Sequence, residues 1–158
     1  MEDKQDKLLN SIMVSFVAQM DAAMETSKKI SEHSKEEELS PDSFLSGLVY
    51  RLMTPMTDDE LKTSMDKANE IISAEDSEET DDEEEYEFGK GLYSPVSQDF
   101  GDKVIVSRVV KRNDCNCSFC IRVRKCLDDY KSHETNDQLA QMFKDAINNT
   151  CDIHNISI

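Results

Sequence analysis

Apolar residues return at helical spacing through most of the chain. In residues 3–34, Leu9, Met13, Phe16, Met20, Ala23, Ser27 and Ile30 alternate at intervals of four and three. This is a heptad-like stripe, weakened at Ser27 and widened by Ile12, Val17 and Met24. Lys7, Asp21, Glu25 and Lys28 take the opposite face, so one long helix is expected, with either its own core or a second copy against the stripe. His33 falls at the polar end of this helix and reads as a solvated residue.

After the charged loop Lys35–Glu38, Ser40-Pro41-Asp42 has the form of a helix start, with serine as cap and proline in the first turn. Phe44, Leu45, Leu48, Val49 and Leu52 give that helix an apolar face, and it should stop near Thr54-Pro55. Thr57-Asp58-Asp59-Glu60 is a capping box, followed by Leu61, Met65, Ala68, Ile71 and Ile72 at helical spacing. Past residue 102 the period changes. Lys103–Lys111 is rich in β-branched residues (Val104, Ile105, Val106, Val109, Val110) and is the best strand in the chain, with Gly91–Val96 as a hairpin partner. From Ser118, Phe119, Val123, Cys126, Leu127 and Tyr130 share a helical face. Thr135-Asn136-Asp137-Gln138 reads as a second capping box opening a helix that ends at Asn148-Asn149.

The expected fold is mainly α with a small α+β C-terminal module. A three-helix bundle occupies 1–73, an acidic disordered linker 74–90, and a cysteine-containing module 91–158, built from a short strand or hairpin followed by two helices. Charge sets the linker: Glu75–Glu87 holds ten acids in thirteen residues, which repel one another and bury nothing.

The formal net charge of the chain is -16. Residues 1–102 carry 27 acids against 9 bases, and residues 103–158 carry 7 against 9. The acidic excess argues against nucleic acid as a general partner. Within 103–131 the balance turns basic, and Arg108, Lys111, Arg112, Arg122 and Arg124 are the residues that would contact phosphates if that segment bound nucleic acid. No run of apolar residues reaches the eighteen that a membrane-spanning helix needs. The flank of Leu8–Met24 lacks the positive excess of a secretory signal.

Four of the five cysteines fall between Asn113 and Cys126. An odd cysteine count suits a reducing compartment, cytoplasmic or nuclear, better than a disulfide scaffold. Cys117-x-x-Cys120 has the spacing of a zinc knuckle, and Cys151-x-x-His154 offers a second pair across the C-terminal helices. Cys117, Cys120, Cys151 and His154 are therefore the expected ligands, three thiolates and one imidazole, with zinc as the metal and Cys115 spare. Two other readings stand open. Cys115, Cys117 and Cys120 are spaced for a disulfide, or Cys120 and Cys126 are simply buried in a helix face while the other two are free.

The segment Asp114-Cys115-Asn116-Cys117-Ser118-Phe119-Cys120, followed by a basic helix, Tyr130 and a capped amphipathic helix, resembles the short cysteine-motif tails of proteins encoded by large nucleocytoplasmic DNA viruses. The resemblance covers residues 110–150. It departs from those tails near His133 and Thr135, where a second aromatic and a proline are usual. It implies a cytoplasmic or virion-associated viral protein and identifies no activity.

The chain has no P-loop, GxGxxG, GxSxG or HExxH pattern. The expectation is a non-enzymatic interaction or structural protein with a protein partner or self-association through residues 3–34. A zinc-dependent regulator of nucleic acid is the alternative.

Overall fold

The computed structural model describes the backbone of residues 2–77 and 106–158, and the side chains of residues 3–74 and 106–158. Most of the acidic linker, and the hairpin partner expected at 91–96, lie outside the described residues. The described residues form five α-helices, α1 (Glu2–His33), α2 (Pro41–Met53), α3 (Asp58–Ser77), α4 (Ser118–Asp129) and α5 (Gln138–Ile153), and two short strands, β1 (Arg108–Val109) before α4 and β2 (Ile156–Ser157) after α5. The chain is mainly helical, with three N-terminal helices and a C-terminal pair of helices beside a strand, as the apolar pattern predicts.

Local chemistry explains most boundaries. Ser40 caps α2 by accepting from the Ser43 amide, with Pro41 in the first turn. The capping box of α3 is reciprocal: the Thr57 amide donates to Glu60 Oε2 at 2.9 Å, and the Glu60 amide donates to Thr57 Oγ1 at 3.3 Å. The end of α1 is a Schellman turn. The Glu36 amide donates to the Ser31 carbonyl, the Lys35 amide donates to the Glu32 carbonyl, and Lys35 sits at φ 55°. That turn fixes where His33, the last residue of α1, faces. At α5 the cap is Asp137, whose Oδ1 accepts from the Ala140 amide at 2.8 Å. Thr135, expected as the cap, instead donates its hydroxyl to Gln141 Oε1. Aspartate wins because it lies directly before the first helical residue.

Among the described residues, the strand partner comes from the C-terminal tail. β1 pairs in parallel with β2, Arg108 opposite Ile156 and Val109 opposite Ser157. The C-terminal tail thus supplies a strand neighbour for β1. α5 also runs beyond Asn149 to Ile153, because Cys151 extends the buried face of Ile147 by one more turn.

α2 is the hub. It packs on α1 along one face and on α4 and α5 along another. Gly47 makes the α1 contact close: a Cβ there would lie 2.0 Å from Ser27 Oγ and 2.9 Å from the Ala23 carbonyl oxygen. Ser27, the weak point of the stripe, is fully buried, and its hydroxyl is satisfied by the Ala23 carbonyl at 2.7 Å. One core gathers Leu45 and Val49 of α2 with Val110, Leu127, Tyr130, Ile147 and Cys151. A second joins Ile30 and Tyr50 to Phe119, Cys120 and Val123. Both cores draw on residues from either side of the acidic segment. Asp42 adds a polar tie. It accepts from Arg108 at 2.8–2.9 Å and from the Lys111 amide at 2.7 Å. Burial alone would raise its carboxyl, but these donors and the two positive charges hold it below the usual aspartate value.

Candidate metal centre

Three thiols converge where the chain enters α4. Cys117 is the N-cap of that helix: its Sγ accepts from the Cys120 amide at 3.4 Å, as a serine oxygen would. Cys120, one turn in, is fully buried, and Asn113 donates its side-chain amide to the Cys120 sulfur at 3.1 Å. The approach loop is held by Arg124, whose guanidinium donates to the Asn113 carbonyl at 2.9 Å and to the Cys115 carbonyl at 2.7 Å. These bonds turn Cys115 back over the helix start.

The fourth group is His33. Its Nδ1 lies 3.3 Å from the sulfurs of Cys117 and Cys120 and 3.5 Å from that of Cys115. All four ligand atoms lie within 4.8 Å of one another. Phe119 fixes the ring. It meets His33 edge-on at 5.9 Å and Tyr50 at 5.4 Å, and Lys29 sits over its face at 4.3 Å. A helix terminus from each side contributes electrostatically. The positive end of α4 faces the thiols, and the negative end of α1 carries the imidazole.

Compared with family models, with curated proteins and with solved structures, the chain matches none. The site therefore rests on its own geometry.

That geometry is compatible with a metal ion. Zn–S bonds of about 2.3 Å and Zn–N bonds of about 2.0–2.1 Å give tetrahedral N···S edges of roughly 3.5 Å, close to the spacings found. Without a metal the thiols are inequivalent. Cys117 drops to about 6, chiefly because the Cys120 amide donates to its sulfur. Cys120 is pushed up to about 11, chiefly by burial. One thiolate is thus available at neutral pH to meet a cation, and the buried thiol must give up its proton as the shell closes.

The expected ligand set is half present. Cys117 and Cys120 belong to the cluster. Cys151 and His154 do not. Cys151 is buried in the core with Leu45, Leu127, Tyr130 and Ile147, and His154 is exposed just beyond the end of α5. The longer α5 explains both placements, because its extra turn points Cys151 inward along the Ile147 face. Cys115, read as spare, is a member. His33, read as solvated, is the fourth. A signal for it existed: His33 stands three residues after Ile30, on the buried flank of the stripe.

The basic residues also have duties inside the fold. Arg108 pairs with Asp42, Arg112 pairs with Asp128, and Arg124 holds the cysteine loop. Lys111 and Arg122 are exposed. Three of the five cations named for nucleic acid thus already have anionic or carbonyl partners.

Proposed function

We propose that this protein is a non-enzymatic interaction module whose two halves are stapled by one structural zinc ion. The observation that carries the reading is the convergence of His33, from the end of α1, with Cys115, Cys117 and Cys120, from the loop into α4 and its first turn, more than eighty residues later. Four protein ligands fill a tetrahedral shell and leave no position for a substrate or an activated water, which is the form of a structural site. Zinc suits three thiolates and an imidazole. Its charge with three thiolates leaves one net negative charge, set against Arg124 and the amide end of α4. The Asn113 amide on the Cys120 sulfur and the carbonyl contacts of Arg124 form the outer support that such sites use. A reducing compartment suits free thiols of this kind. Reading the partner as protein rests on apolar side chains left at the surface on α1 and α5.

Purified, reduced protein should hold about one zinc per chain, as four-ligand sites do. Chelation should lower its thermal midpoint and speed amide exchange in α4 and at the end of α1, because the metal couples these segments. Zinc affinity should fall as pH drops, and more steeply below about 6, where Cys117 also binds a proton. A metal-free preparation with unchanged stability after chelator treatment would contradict the reading.

A further inference from the structure

We propose that a second copy of this chain docks on the apolar face shared by α1 and α5, each copy inserting the ridge of α1 into the groove of the other. The inference rests on the reading of the chain as an interaction module and names its partner. The ridge is made of Leu8, Leu9, Ile12, Met13 and Phe16, which are 46–63% exposed. α3 covers the other side of this part of α1, through Ala68 against Val14 and Ala18, and leaves the ridge largely exposed among the described residues. Beside it lies a groove of about 790 Å³ between α1, α2 and α5, walled by Met20, Phe44, Leu48, Leu139, Met142 and Phe143. Phe16 belongs to both: its ring stacks on Phe143 at 5.4 Å. Ridge and groove are thus contiguous surfaces of one molecule, the arrangement a two-fold interface needs, since each copy then offers both halves.

Charge permits a second copy as the occupant. A third of the chain is charged, yet residues 8–20 contain no Asp, Glu, Lys or Arg. The groove is also nearly neutral. Of its lining, Arg108 and His154 are the side chains able to carry positive charge, and Arg108 is already paired with Asp42. A neutral ridge entering a neutral groove desolvates no unpaired charge. It also lets two molecules of net charge -16 meet along a stretch where neither repels the other. Length agrees as well. At 1.5 Å per residue, the ridge from Leu8 to Phe16 spans about 12 Å, and the groove along α5 from Leu139 to Thr150 spans about 17 Å.

Sedimentation of the full, zinc-loaded chain should show a dimer that dissociates on dilution. Ile12→Glu on the ridge and Met142→Glu in the groove should each weaken it roughly tenfold or more, because each buries a carboxylate. Helix content and zinc content, measured on the same samples, should stay at the wild-type level. If either variant fails to fold, a photo-crosslinking residue in place of Ile12 keeps the test: in dimers mixed from light and heavy isotope-labelled chains it should join ridge peptides to α5 peptides of the other copy. A zinc-loaded chain that stays monomeric at every concentration would overturn the dimer and leave the metal reading standing. A zinc-free chain that dimerises by these contacts would do the reverse. A dimer that neither variant weakens, or crosslinks that avoid α5, would also overturn the proposal.

Discussion

His33→Ala should abolish stoichiometric zinc binding and destabilise the protein, while His154→Ala should change neither. Structural zinc contributes about 10–16 kcal/mol of apparent binding energy in small metal-coupled domains, so removing one of four ligands should cost on the order of several kcal/mol here. Cys120→Ser should behave like His33→Ala. Cys126→Ser should cost only packing, because that sulfur lies outside the cluster and meets Thr54 Oγ1 at 3.7 Å. His33→Cys gives the sharpest contrast. A shell of four thiolates binds zinc as well, so this variant should retain the metal that alanine loses. Zinc content by atomic emission, with thermal unfolding of each variant, decides the matter. Equal zinc in the wild type and His33→Ala would remove α1 from the site.

Gly47→Ala should be among the most damaging single substitutions outside the metal centre. In an ordinary helix alanine would be favoured over glycine by about 1 kcal/mol. Here the added Cβ meets Ser27 Oγ at 2.0 Å, the Ala23 carbonyl oxygen at 2.9 Å and the Ser27 Cα at 3.0 Å. A hydroxyl can rotate away, but the last two atoms are backbone, and relieving them moves α1 bodily off α2. Overpacking of this kind costs about 1–3 kcal/mol and occasionally more. We expect a net loss at the upper end, because α1 also carries His33 to the thiols and its displacement loosens the metal shell. Chemical denaturation should show a lower midpoint, and zinc affinity should fall with it. Adding Ser27→Ala removes the nearest atom and should recover part of the loss. Stability equal to wild type in Gly47→Ala would mean that α1 and α2 are not packed this closely.

The elements were legible because their signals are local. A proline after a serine cap, a Thr-x-x-Glu box and a stripe of Leu, Met, Phe and Ile each act within one or two turns, and α2 and α3 begin where the first two stand. Local signals do not decide the structure where a long-range contact chooses between local options. The tail Ile156–Ser157 has little strand character of its own, and becomes a strand because β1 lies alongside it. Ser27 looked like a defect in a heptad, but it is the residue that lets α2 approach, with Gly47 opposite. At the site, the spacing of Cys117 and Cys120 was readable, since both belong to one helix start. Pairing them with Cys151 and His154 treated the C-terminal helices as a closed unit. The core of Leu45 and Val49 against Leu127 and Ile147 shows otherwise. α2 fills the space between α1 and α4, and so it is the end of α1 that reaches the thiols. No periodicity in residues 103–158 encodes that contact.

X-ray absorption at the zinc edge of the full, reduced protein tests the central claim most directly. One zinc with three sulfur neighbours at about 2.3 Å and one imidazole nitrogen at about 2.0–2.1 Å is the predicted shell, and His33→Ala should lose the imidazole scattering while His154→Ala keeps it. A shell of nitrogen and oxygen neighbours, or an imidazole signal that follows His154 in place of His33, would contradict the account.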